Sequence, residues 1–156
     1  MDLIVETLRE RSKWLHQMLR EEVRDLTPEQ LDFVPVEGAN SIAVLVVHTL
    51  GAQAELWSMV AGSRFDRDRP AEFVTKGLSA GDLIARIDAV DRLLDELAPQ
   101  IDGEKLAAVW RRPNGQANTG AYWLINQLSH AREHLGHLQL TKQLFPDRFP
   151  PLAHPY

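Results

Sequence analysis

Within the stretch SHAREHLGHLQLTKQL, His130, His134 and His137 fall inside eight positions. An i, i+4 pair on a helix aims imidazoles from successive turns at one point, the spacing that metal-binding helices use. His130 and His134 are such a pair. At about 100° per residue the three histidines form a line beside the apolar stripe Leu124, Leu128, Ala131, Leu135 and Leu138, so they face the interior at an angle. Two imidazoles do not make a tight site, and the candidate for a third is His48, the one histidine of an otherwise apolar segment, IAVLVVHTLGAQAELWSMVAG. Gly51 and Ala52, about one turn on, are small enough to leave volume beside its ring. An imidazole in a core must find partners for both ring nitrogens, and a shared cation would take one nitrogen from each ring. The plainer reading is a surface H-x-x-x-H and a core histidine that is simply hydrogen-bonded.

Other residues offer less. Glu55 and Glu133 are candidate bases near such a site, and Arg111 and Arg112, ahead of the loop PNGQANTG, are candidate receivers of an anion or an ordinary solvated pair. His137 stands as an outer partner of a ligand or an alternative ligand. His16 and His154 are expected to be exposed or satisfied locally, and Trp57, Trp110 and Trp123 to anchor core or loops.

The elements that must position these residues follow from periodicity. Ile4, Leu8, Leu15, Leu19 and Val23 recur with a helical period from Leu3 to about Leu26. A second helix is expected from an N-cap at Asn40 or Ser41 to about Val60, apolar nearly all round and therefore central. Ser79 and Asp82 have capping-box spacing ahead of a third helix, AGDLIARIDAVDRLLDELA, and a fourth runs from about Ala121 to Leu144. No segment alternates convincingly as a strand. An all-α four-helix bundle results, and the irregular stretches on either side of the third helix are longer than hairpins require, so crossover connections are expected. One domain over 1–156 is expected, with 145–156 a tail holding four prolines in twelve residues.

Composition narrows the partners. The chain has 156 residues, 44% apolar and 25% charged, with a net charge of −5 and both signs intermixed, so no basic stripe exists to collect phosphates and nucleic acid is not an expected partner. Uninterrupted apolar runs fall short of the roughly 18 residues of a membrane span, and MDLIVETLRERSKW does not have the pattern of a secretory signal, so a cytoplasmic protein is expected. With no cysteine, any metal must be held by His, Asp or Glu, and any reacting thiol must arrive as a cosubstrate.

The chain resembles the DinB-like (DinB/YfiT-like, damage-inducible) superfamily of small four-helix metalloproteins, which is distinct from the polymerase sharing the DinB name. The resemblance rests on LTPEQLDFVPVEGANSIAVLVVHTLGAQAELW, a loop and Ser cap leading into a helix with one histidine, and on LSHAREHLGHLQLTKQLF, similar to the family's closing H-x-x-x-H-x-G-Q-like helix. It implies a divalent metal, zinc or nickel, held by His48, His130 and His134. His137 stands where the family often has Gln. The resemblance further implies a bundle that is often dimeric, with Trp14 and Met18 of the first helix available either to a dimer seam or to the core. Its range of activity covers transfer of a low-molecular-weight thiol to an electrophilic small molecule and metal-dependent hydrolysis. Binding of a metal or small ligand without turnover, as in a stress-linked module, is the expectation from a different class.

Overall fold

The computed structural model describes residues 2–154. Four long helices dominate: α1 (Leu3–Val23), α3 (Ile42–Ala61), α5 (Ala80–Leu97) and α7 (Gly120–Leu144). Short elements lie between them: α2 (Pro28–Leu31), α4 (Arg69–Phe73), a 3-10 turn (Ala98–Gln100), α6 (Gly103–Ala107), and a two-stranded antiparallel ribbon of β1 (Val109–Arg111) and β2 (Ala117–Thr119). The ribbon departs from the strandless expectation. Its residues are largely exposed, so backbone pairing across a turn at Gly115 (φ +89°) holds it without the alternating apolar face that would betray a strand in sequence.

The helix starts follow local chemistry. Ser41, of the two candidates, caps α3 by accepting from Val44 N–H, and Ser79 and Asp82 form the expected reciprocal box on α5. Thr119 caps α7, and its first residue must be glycine: a Cβ on Gly120 would lie 2.3 Å from the Lys105 carbonyl oxygen.

Helix α3 packs against both α5 and α7, and so does α1, which makes α1–α3 and α5–α7 the diagonals of the bundle. The connections 24–41 and 98–119 therefore cross the bundle's ends. The segment 62–79, expected as a crossover, instead joins neighbours; freed from spanning the bundle, it folds back over α3 through α4. Helix α3 is central, with Ile42, Val46, Trp57 and Val60 fully buried. It is also, among the described residues, the one helix long and apolar enough to cross a membrane, and 78% of that window is buried inside the bundle.

Two sequence expectations need correction, and a third holds with an addition. His16 is neither exposed nor locally satisfied: it is fully buried, with Nδ1 2.6 Å from Asp91 on α5 and Nε2 2.7 Å from the side-chain Oε1 of Gln53 on α3. The 62–79 segment is not merely surface, because Arg67 and Glu72 are buried where opposite charges compensate them. The tail is non-helical as expected, yet Phe149 is buried against Phe33, since an aromatic ring gains more from the core than an extended chain gains from water. His154 is exposed and pairs with Glu21; residues 155 and 156 of the tail lie outside the described residues. Met18 closes the core, whereas Trp14 is at the surface between the guanidinium groups of Arg11 and Arg132.

Candidate metal centre

His48, in the N-terminal half of α3, meets His130 and His134, which project from successive turns of α7. The Nε2 atoms of His130 and His134 are 2.9 Å apart, those of His130 and His48 are 3.2 Å apart, and the three ligand nitrogens all lie within 4.8 Å of one another. Tetrahedral bonds of about 2.0–2.1 Å separate neighbouring nitrogens by about 3.3 Å, so the triangle is near the size a zinc-like cation requires. Among the described residues this is the one such group of His, Asp or Glu.

The outer nitrogens sharpen the fit. His48 Nδ1–H donates to Glu72 Oε2 at 2.8 Å, leaving its Nε2 with a lone pair toward the other rings. Arg67 grips the same carboxylate with two bonds, Nε to Oε1 at 2.7 Å and Nη2 to Oε2 at 2.8 Å. Burial alone would raise the Glu72 pKa; the bonds from Arg67 and His48 outweigh it and hold the carboxylate below its ordinary range. His134 Nδ1 lies 3.4 Å from His137 Nδ1, and the Nδ1 of His130 is buried without a partner among the described residues. Without a cation, three converging ring nitrogens must share too few hydrogens. A dication accepts from all three.

Burial, followed by the neighbouring histidines, pushes the pKa of His130 down to about 4; burial, then His48 and His137, does the same for His134. Both rings are consequently neutral and able to donate a lone pair near pH 7.

Around the triangle, the other sequence candidates separate. Glu55 accepts from Arg67 Nη1 at 2.9 Å and from Arg112 Nη2 at 2.7 Å, which makes it the anchor of two cations. Glu133 is exposed and touches the site only through its charge, which opposes the lowering of the His134 pKa. His137 is exposed and lies outside the three-histidine group. Arg112 lines a chamber of about 140 Å³ with His48, Ala52, Arg67, Arg69, Asn126, Gln127 and His130. Arg111, expected beside it, is turned away by strand alternation and bonds the Gly115 carbonyl. The volume beside His48 opens at Ala52 only; a Cβ on Gly51 would lie 2.1 Å from Glu72 Oε1, so the missing side chain is filled by the carboxylate. Glu72, Arg67 and Arg69 were not singled out in the sequence. The available signal was His48's need for a partner at its outer nitrogen, and only the fold says which acid supplies it.

Residues 11–138 match the DinB superfamily. The chain belongs to the DinB superfamily. Solved structures of similar fold include a DinB-like protein from Bacillus cereus (TM-score 0.76, 14% identity, 97% of each chain covered). A conserved protein from Enterococcus faecalis is also similar (TM-score 0.75, 17% identity, 94% of this chain and 99% of that one). YfiT from Bacillus subtilis, described as a probable metal-dependent hydrolase with an unusual four-helix bundle topology, aligns at TM-score 0.76 and 13% identity over 91% of this chain and 87% of its own. A search of curated proteins found no match. This DinB chain thus has the four-helix bundle of the superfamily and a three-histidine cluster suited to a divalent metal.

Proposed function

We propose that this DinB protein is an enzyme dependent on a divalent metal, zinc or nickel, in which His48, His130 and His134 hold the metal and a low-molecular-weight thiol is transferred to an electrophilic small molecule. The convergence of three Nε2 atoms from two helices carries this reading. A dication held by three neutral imidazoles keeps its charge and an open coordination position, and it lowers the pKa of a water or thiol that reaches it.

One chemical difference favours a thiol over water. Two carboxylates around the chamber are already engaged, Glu72 by Arg67 and His48 and Glu55 by Arg67 and Arg112. A thiol starts from a pKa of about 8.5 and water from about 15.7, so a thiol needs less help from a metal to ionise. Gln127 and Asn126 give the chamber polar walls, while Leu56 and Ala52 give it an apolar side. The thiol is a cosubstrate, because the chain has no cysteine. Hydrolysis is the second reading, favoured by the description of YfiT.

Elemental analysis of untagged protein beside His48→Ala tests the site first. About one zinc or nickel per chain, lost in the variant, is the expected result; no metal, with none taken up at pH 7.5, refutes it. Metal-loaded protein given electrophiles with and without thiols then separates the readings. Thiol-dependent turnover is expected, and turnover indifferent to thiol leaves hydrolysis.

A further inference from the structure

A second cavity, of about 490 Å³ and lined by Glu55, Arg69, Arg112, Pro113 and Asn114, adjoins the chamber beside His48 and His130. Arg69 and Arg112 line both spaces and so stand at the border between them. Their surroundings leave positive charge unspent. Among the described residues Arg69 has no carboxylate partner, and its guanidinium rests 4.8 Å from the Phe73 ring, which itself lies 4.8 Å from His48. Among the described residues Arg112 shares its one carboxylate, Glu55, with Arg67, and its buried Nε has no partner. Arg67, Arg69 and Arg112 bring three positive charges against two negative ones on Glu55 and Glu72. A dication adds to that excess.

We propose that Arg69 and Arg112 form a carboxylate-receiving neck, and that the molecule entering the histidine chamber carries a carboxylate a few bonds from its reacting atom. The inference rests on the metal-enzyme reading for the identity of the inner site, though not for the anion preference itself. The geometry limits the fragment beyond the neck. About 140 Å³ holds a thiol-bearing or electrophilic group of a few heavy atoms, while the rest of the molecule occupies the second cavity. The planar fork of Arg112, held by Glu55 on one edge and facing Trp123 at 5.7 Å, is already oriented, so little conformational freedom is lost when a carboxylate docks.

The test is calorimetric binding of 3-mercaptopropionate against 3-mercaptopropionamide, on metal-loaded protein and on protein stripped with a chelator. The carboxylate is expected to bind at least about tenfold more tightly in both forms, the scale of a charge-assisted pair. Arg69→Gln and Arg112→Gln should each shrink that ratio toward one while leaving amide affinity and metal content unchanged. Equal affinities in the wild type, or a ratio that survives in both variants, overturns the proposal. If no metal binds but the preference persists, the metal reading fails and the neck stands; if metal binds without a preference, the reverse holds. Succinate added to protein saturated with 2-mercaptoethanol tells which reactant bears the charge. Retained succinate binding assigns it to the acceptor, and exclusion assigns it to the thiol.

Discussion

Glu72 does for His48 what no ligand can do for itself: it fixes the tautomer, turns Nε2 inward and makes the ring a better donor. Glu72→Gln keeps the shape and loses the charge, so metal affinity should fall by about 10- to 100-fold in chelator competition. Gly51→Ala tests the same contact from the opposite helix, because its Cβ would meet Glu72 Oε1 at 2.1 Å. It should weaken metal binding comparably although it alters no ligand; wild-type affinity in both variants would show that Glu72 does not orient His48. The lowered pKa values of His130 and His134 carry a linkage of definite sign. In the metal-free protein the unfolded chain takes up protons near pH 6.5 while the folded rings stay neutral to about pH 4, so the unfolded state binds more protons in that window. Stability of metal-free protein should therefore drop as pH falls from 6.5 to 4, and a His130→Gln, His134→Gln variant should show a flatter profile by urea denaturation.

At the scale of elements, α1 is set in the bundle by two buried polar clamps as well as by Leu15, Leu19 and Val23. One joins it to α5 and α3: His16 bonds Asp91 and Gln53, and Arg20 pairs with Asp88 and Asp91. Burial works to raise the Asp91 pKa, but His16 and Arg20 prevail and keep it below the usual range. Its contribution is present above the ordinary carboxylate pKa of about 4 and is lost as pH falls through the lower folded value. The other clamp joins α1 to α7, with Lys142 Nζ 2.5 Å from Glu22 Oε2 and 3.1 Å from the Glu22 carbonyl oxygen, and with Gln139 donating to Glu22 Oε1 at 3.2 Å. Removing one charge strands the other in a dry interface. Lys142→Met should cost about 3–5 kcal/mol, and Glu22→Gln with Lys142→Met should recover much of it. A double variant no more stable than the single one would show that the pair is not coupled. Because α7 carries His130 and His134, loosening this clamp should also lower metal affinity.

For the whole molecule, the histidine triangle exists only when the bundle is closed, since 82 positions separate His48 from His130. Metal that binds folded protein and not the unfolded chain should raise the melting temperature with the logarithm of free metal, contributing about 2.7 kcal/mol at 100 times Kd. No dependence, or one unchanged by His48→Ala, would count against a site between helices. Much of this architecture was legible in one dimension. The 3.6-residue recurrence of apolar side chains and the caps at Ser41 and Ser79 are local physics, and they located the long helices; the i, i+4 spacing paired His130 with His134 before any fold was known. His48 was singled out because an imidazole in an apolar helix has to be accounted for. The ribbon escaped notice because it buries too little to leave a pattern; of the two stretches expected to cross, 98–119 does and 62–79 does not, because chain length constrains which elements can be joined but not which become diagonal neighbours. Arg67 and Glu72 lie in an irregular charged stretch with no period to mark them, and His16 was expected to be exposed or satisfied locally. The types and spacing of residues along each helix thus determined the helices and two histidines of the site, as local interactions depend only on near neighbours in the chain. Which acid holds His48, which arginines guard its chamber and which polar groups lie buried were decided by tertiary structure, because those energies depend on charges brought together from distant segments and removed from water.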